Sequence, residues 1–163
     1  MVTLTPERPE HGPAIERLLD QAFGEARWHK TCQRLRDGQA PMRELSLVAI
    51  ADNELIGTVR LWPMLAGGRR ALLLGPLAVD NRWQDHGLGS TLMNEALKRA
   101  QDAGERSVIL VGDAPYYQRF GFEQAPTSGL WLPGPVDPKR FLARELTPQA
   151  LSGARGPVMA LAA

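Results

Sequence analysis

Residues 82–90 read Arg82-Trp83-Gln84-Asp85-His86-Gly87-Leu88-Gly89-Ser90. Before them runs an apolar stretch, Ala71-Leu72-Leu73-Leu74-Gly75-Pro76-Leu77-Ala78-Val79, which reads as a buried strand. After them comes Thr91-Leu92-Met93-Asn94-Glu95-Ala96-Leu97-Lys98-Arg99-Ala100, which reads as a helix. A strand, a glycine turn and a helix start, in that order, make a place for an anion. The first helical turn leaves N–H groups without partners, and the helix dipole favours negative charge. Gly87 and Gly89 remove side chains where backbone must approach a ligand. The stretch points to a phosphate or pyrophosphate. The alternative is a glycine turn of the same shape that holds nothing.

Spacing separates the kinds of phosphate loop. A P-loop needs Gly-Lys-Ser/Thr after its glycines, whereas Gly89 is followed by Ser90 and Thr91. A dinucleotide fingerprint needs a third glycine, and Leu92 stands at that position. With Gln84 leading it, the pattern is Gln-x-x-Gly-x-Gly. A second element lies downstream. Ser107-Val108-Ile109-Leu110-Val111-Gly112 reads as another buried strand, and Tyr116-Tyr117-Gln118-Arg119-Phe120-Gly121-Phe122 follows it.

The first pattern resembles the acyl-CoA pyrophosphate loop of the GNAT superfamily of N-acetyltransferases, usually Arg/Gln-x-x-Gly-x-Gly/Ala. The second is similar to the family's Tyr-x-x-x-Gly-Phe signature, matched by Tyr117, Gly121 and Phe122. Two motifs in the family's order are more specific than either alone. The resemblance runs from about Leu4 to the C-terminal strands. The double tyrosine resembles a widespread bacterial group of small predicted acetyltransferases.

One domain spanning residues 1–163 is expected from the length. A formal net charge of +1 points to neither nucleic acid nor membrane. Cys32 stands alone, so no disulfide framework forms, which suits a reducing cytoplasm. His11, His29 and His86 lack metal-ligand spacing, and no metal is expected. The start, Met1-Val2-Thr3-Leu4-Thr5-Pro6-Glu7, does not read as a signal peptide, and no apolar run approaches spanning length. A cytoplasmic protein is expected.

Val2-Thr3-Leu4 reads as a short strand, and residues 9–23 as a helix with Ile15, Leu18, Leu19, Ala22 and Phe23 on one face. A second helix is expected over residues 27–35. It carries Arg27, His29, Lys30, Arg34 and Arg36, and the first reading is a solvated basic face. In the resembled family this region borders the acceptor pocket, so a basic rim for an acidic acceptor is the other reading. Residues 45–50 and 54–61 read as a hairpin turned by Asp52-Asn53. Late strands are expected at residues 130–132, 141–146 and 158–161. The segment 157–163 either closes the sheet edge or pairs across a homodimer.

Fold and chemistry follow from the resemblance. The fold implied is α/β (α+β), a mixed and mostly antiparallel sheet flanked by helices, with its central parallel strands splayed. Proline is confined in sheets mostly to edges and bulges, so a bulge is expected at Gly75-Pro76, the other reading being an ordinary strand entry with no ligand beside it. The pantetheine arm of acetyl-CoA, the co-substrate, is expected in the splay like an added strand, along Leu77, Ala78 and Val79. The pyrophosphate is expected on Gln84, Asp85, His86, Gly87, Leu88, Gly89 and Ser90. Arg82 either adds positive charge there or ends the strand in solvent. Tyr117 is expected both to touch the cofactor and to act as general acid toward the leaving thiolate, the other reading being a ring that packs on the apolar floor and only orients the sulfur. Tyr116 is its backup, and the Leu77 N–H the expected oxyanion donor. Asp113 either holds a water that takes the amine proton or caps the tyrosine helix, the second being preferred. Cys32 reads as a buried cysteine rather than an acyl carrier.

The function implied is direct N-acetyl transfer from acetyl-CoA to a primary amine in a ternary complex. The acceptor is a small-molecule or peptide amine. The alternatives are a non-catalytic acyl-CoA sensor of the same fold and a nucleotide-binding domain. The second lacks both its third glycine and a clean βαβαβ alternation.

Overall fold

The computed structural model describes residues 1–161. Alternating burial lays out the sheet. In β2 (Leu47–Ala51), Leu47, Ala49 and Ala51 enter one core cluster while Val48 enters another, as period-two side chains must. β1 (Val2–Pro6) and β3 (Glu54–Ala66) flank β2 antiparallel. Asp52 and Asn53 turn the hairpin at φ 51° and 63°, the left-handed values that asparagine and aspartate tolerate. β4 (Arg69–Val79) returns antiparallel along β3. The order continues to β5 (Ser107–Val111), parallel to β4, and then to β7 (Phe141–Glu145), antiparallel to β5.

α1 (Gly12–Phe23) buries Ile15, Leu18 and Leu19 against Val48 and Ala78 on one face of the sheet. α3 (Leu88–Asp102) covers the other face. Its buried residues, Leu88, Leu92, Met93, Ala96, Leu97 and Ala100, recur at helical spacing and pack on Leu47, Val59, Leu72 and Leu74. Gly57 allows this approach, because a Cβ there would stand 3.0 Å from Leu92. The mixed, mostly antiparallel sheet flanked by helices is the architecture expected from the sequence.

One element differs from expectation. The helix expected over residues 27–35 is broken. A 3-10 turn covers Glu25–His29, Lys30 is extended at φ −70° and ψ 145°, and α2 runs Thr31–Arg36. The break has physical causes on both sides. Arg27 is held back by α1 through Glu16 at 2.6 Å and Asp20 at 3.0 Å. Thr31 and Arg34 donate to the carbonyls of Pro135 and Pro133, which fix α2 against a proline-rich loop. The C-terminal strand follows the edge-closing reading. β8 (Gly156–Ala160) is hydrogen-bonded to the end of β3 and to β6 (Leu130–Trp131), so it completes the sheet. Residues 162 and 163 of the expected 157–163 segment lie outside the described residues.

Candidate active site

The opening in the sheet begins at Gly75-Pro76. Val59 faces Leu77 and Leu61 faces Leu74, so Gly75 and Pro76 together oppose Arg60 alone. That is the expected bulge. The Gly75 carbonyl does not join the ladder. It accepts the indole N–H of Trp62 at 2.6 Å, inside the core. On the other side, β4 and β5 pair at Leu72–Val108 and Leu73–Ile109, and no further pairing occurs among the described residues. The two strands splay beyond that point. A cavity of 690 Å3 occupies the opening, with Leu74, Gly75, Pro76 and Leu77 on one wall and Val111 and Gly112 on the other.

The loop between β4 and α3 leaves the helix start open. Asp85 and Gly87 adopt φ 69° and 73°, and Gly87 takes the N-cap position with no side-chain cap. The first backbone bond of the helix is Thr91 N–H to Gly87 carbonyl at 3.0 Å. The N–H groups of Leu88, Gly89 and Ser90 precede it and gain no intrahelical partner. Gln84 and His86 are exposed. Gln84 bonds Asn81, and the His86 Nδ1 lies 2.9 Å from the Gln84 carbonyl.

The charge of Arg82, one of its two readings at the phosphate site, is already committed. Its guanidinium is bridged to Glu54 at 2.8 Å and Asp80 at 3.1 Å, which holds its proton more tightly than in a free arginine. Its strand-end reading is the correct one. Arg119 instead reaches the helix start and donates to Ser90 Oγ at 2.9 Å. Its guanidinium lies 5.1 Å from the Tyr116 ring and 5.5 Å from the Phe120 ring. Arg119 stood in the quoted motif without an assigned role.

α4 (Ala114–Gln118) carries the tyrosines into the opening. Tyr117 packs edge-on against Phe122 and Tyr116 and lies on Gly112, where any Cβ would overlap its ring. The carbonyl of Tyr117 accepts from the Phe120 and Phe122 N–H groups, so the Gly-Phe end of the motif locks the helix end. Burial pushes the Tyr117 phenol up to about 12, and Tyr116 and Asp113 add to the rise against Arg140. Tyr116 meets the other end of the site, its hydroxyl 3.1 Å from where a Gly89 Cβ would stand. Asp113 occupies the N-cap position of α4, but its side chain makes no capping bond there. The preferred capping reading of that side chain is therefore corrected.

The basic segment before and within α2 is solvated only in part: His29, Lys30 and Arg34 are exposed, whereas Arg27 is buried and Arg36 half-buried. Arg27 is 7% exposed, and His29, Lys30, Cys32 and Arg36 line the cavity. Cys32 is half-buried rather than buried, and burial pushes its thiol up, which keeps it protonated. Among the described residues no cluster of three or more His, Cys, Asp or Glu side chains suits a metal ion. No helix among them is long and apolar enough to cross a membrane.

The model of the acetyltransferase (GNAT) family matches residues 13–122. The chain belongs to the GNAT family. That stretch runs from α1 through the glycine loop and α3 to Phe122 at the end of the tyrosine motif. Among curated relatives, the uncharacterized N-acetyltransferase YhbS of Escherichia coli K12 is 33% identical over 153 residues, covering 92% of this chain and 90% of its own. YjhQ of the same strain is 25% identical over 146 residues, covering 85% and 81%. A crystal structure of E. coli YhbS in complex with CoA superposes with a TM-score of 0.83 at 31% identity, covering 98% of this chain and 89% of that one. A GNAT acetyltransferase from Brucella melitensis in complex with acetyl-CoA gives 0.66 at 28% identity, covering 89% and 96%. Membership makes the protein an acyltransferase with acetyl-CoA as its co-substrate. The features present suit such a ligand: a splayed strand pair for an extended arm and an uncapped helix start for its phosphates.

Proposed function

We propose that the chain moves the acetyl group of acetyl-CoA directly onto a primary amine within a ternary complex, and that residues 1–163 form one catalytic domain. The observation that carries this reading is how the tyrosine helix joins the sheet opening to the helix start. The β4–β5 splay and the half-buried ring of Tyr117 line one cavity, and Tyr116, on the same wall, brings its hydroxyl within 3.1 Å of where a Gly89 Cβ would stand at the open start of α3.

Leu77, Ala78 and Val79 offer the backbone edge for the pantetheine arm, in the manner of an added strand. Gln84, Asp85, His86, Gly87, Leu88, Gly89 and Ser90 form the phosphate cradle, mainly through backbone N–H groups at the helix dipole's positive end. Arg119 adds a positive charge beside Ser90. The Leu77 N–H, next to the bulge, stabilises negative charge on the thioester oxygen as the amine attacks. Acetyl-CoA supplies the activated acyl group and a thiolate leaving group.

Tyr117 holds the thiolate as a hydrogen-bond donor. Its phenol, pushed up to about 12 by burial, stays protonated at neutral pH. Complete transfer of that proton to a thiolate of pKa about 8.5 runs uphill by roughly 3.5 units, about 5 kcal/mol. The simple general-acid role is thus narrowed to donation with relay. The proton that the amine loses on forming the amide balances the proton that the sulfur gains, and Tyr117 stands on the path between them.

Replacing Tyr117 by Phe tests the assignment. The account expects kcat to fall on the order of a hundredfold while acetyl-CoA affinity stays nearly constant. Equal turnover at every pH removes Tyr117 from the chemistry. CoA binding without acetylation of any amine in a broad panel would support the sensor alternative.

A further inference from the structure

Three arginines gather between α1, α2 and β3, and two of them are neutralised. Arg27 is paired with Glu16 and Asp20. Arg60 is paired with Glu7 at 2.9 Å and lies 3.7 Å from Glu16. Arg36 is left over. No carboxylate among the described residues pairs with it, and its one side-chain bond is a 3.4 Å contact to the side-chain Oε1 of Gln33. The adjacent Asp37 does not serve it, because that carboxylate accepts from the Gln33 amide at 2.7 Å.

The place of this cation matters. Its Nη1 lies 3.5 Å from the point where a Cβ would stand on Gly75, so the guanidinium rests at the bulge where the cavity opens. Lys30 and Arg140 line the same cavity. Lys30 sits over the Phe23 ring at 4.6 Å, and Arg140 donates to the Gly112 carbonyl at 3.3 Å. Asp113 and Asp137 are the acidic residues on the wall. Asp137 is turned to the Lys139 N–H at 3.0 Å, and Asp113 stands at the start of the tyrosine helix.

We infer that the acceptor amine carries an anionic group, a carboxylate or a phosphate, and that Arg36 binds this group beside the thioester while Lys30 and Arg140 close the field around it. The inference rests on the acyl-transfer reading above and names the substrate class for that site. A planar guanidinium is suited to the task, since its parallel N–H groups match both carboxylate and phosphate oxygens. The cations are held at a cost that an anion would relieve. Burial pushes Arg36 below its ordinary pKa, with Arg60 and Arg27 adding to the effect against Cys32 and Asp37. Burial, Arg140 and Arg36 do the same to Lys30.

The pyrophosphate of CoA is not the anion in question. Gly75 lies four residues before Val79, about 13 Å at the usual strand rise, and the phosphate loop begins beyond Val79. The arm direction also separates the two. The phosphates belong at the start of α3, whereas Arg36 belongs to α2 at the inner end of the opening.

Paired ligands test this. Phenylalanine against phenethylamine, and O-phosphoethanolamine against ethanolamine, differ in the anionic group. Binding is measured by calorimetry on the free and the CoA-loaded protein, and acetylation rates are measured with acetyl-CoA. The anionic member of at least one pair is expected to bind more tightly by a factor on the order of 10 to 100, and which pair responds tells carboxylate from phosphate. Arg36→Met is expected to abolish that preference, and Arg36→Lys to restore part of it. If Arg36→Met does not fold, Lys30→Met serves in its place and reduces the preference several-fold. Equal binding within both pairs overturns the inference. An anion preference that vanishes in Arg36→Met, in a protein that binds no acetyl-CoA, keeps the anion site and removes the acyl-transfer reading.

Discussion

Arg119 donates to Ser90 Oγ at 2.9 Å and so joins the tyrosine helix α4 to the first turn of α3. The bond brings a guanidinium to a helix start that has no side-chain cap. Charge and dipole then act on the same ligand. Arg119→Met should weaken acetyl-CoA binding about three- to tenfold at low ionic strength. The loss should shrink as salt rises, because the side chain is exposed and screening acts on it. Titrations at two salt concentrations check this. Unchanged affinity at both would remove Arg119 from the phosphate site.

Gly112 and Tyr117 are mutually fitted. A Cβ at Gly112 would overlap the tyrosine ring, and Gly112 ends the wall that faces β4. Gly112→Ala should therefore push Tyr117 from its seat. The overpacking should cost about 1–3 kcal/mol of stability, and kcat should fall on the order of tenfold or more as the hydroxyl shifts. Denaturant unfolding and steady-state kinetics check the two effects separately. A variant with native kcat would show that the ring position is not critical.

The Tyr117 phenol should titrate late. The chain has two tyrosines, so in Tyr116→Phe a single phenol remains. Burial, the largest cause of the shift, survives that substitution. Ultraviolet titration of Tyr116→Phe should give a midpoint well above 10, toward 12. The same shift bears on stability. A folded pKa above the unfolded value means that the contribution is complete below pH about 10. It is lost as pH rises through about 12. Phenolate formation at an unshifted midpoint would show that Tyr117 is solvated.

Local signals made much of this legible in the sequence. Gly75-Pro76 in an apolar strand announced the bulge, because proline cannot serve the ladder there. Gly87 and Gly89 after a strand announced the open helix start. Tyr117 was singled out by the resemblance of Tyr117, Gly121 and Phe122 to the GNAT Tyr-x-x-x-Gly-Phe signature. What stayed hidden depends on partners distant in the chain. Arg27 reads as a surface charge until Glu16 and Asp20 of α1 close on it. Arg36 reads the same way until α2 turns it toward Gly75. Arg82 can be read as a phosphate partner until Glu54, far away in sequence on a different strand, closes on it. Arg119 lay in plain view, but its use depends on how α4 sits against α3. Periodicity reports which face is buried, and says nothing of which charges meet.

The central claim is that the β4–β5 opening and the start of α3 form an acetyl-CoA site. Calorimetric titration of the purified protein with acetyl-CoA, alongside CoA, NAD and ATP, tests it most directly. The account predicts saturable binding of acetyl-CoA and CoA at one site per chain, with neither NAD nor ATP competing. Absence of binding by both CoA ligands, or preference for NAD or ATP, would contradict it.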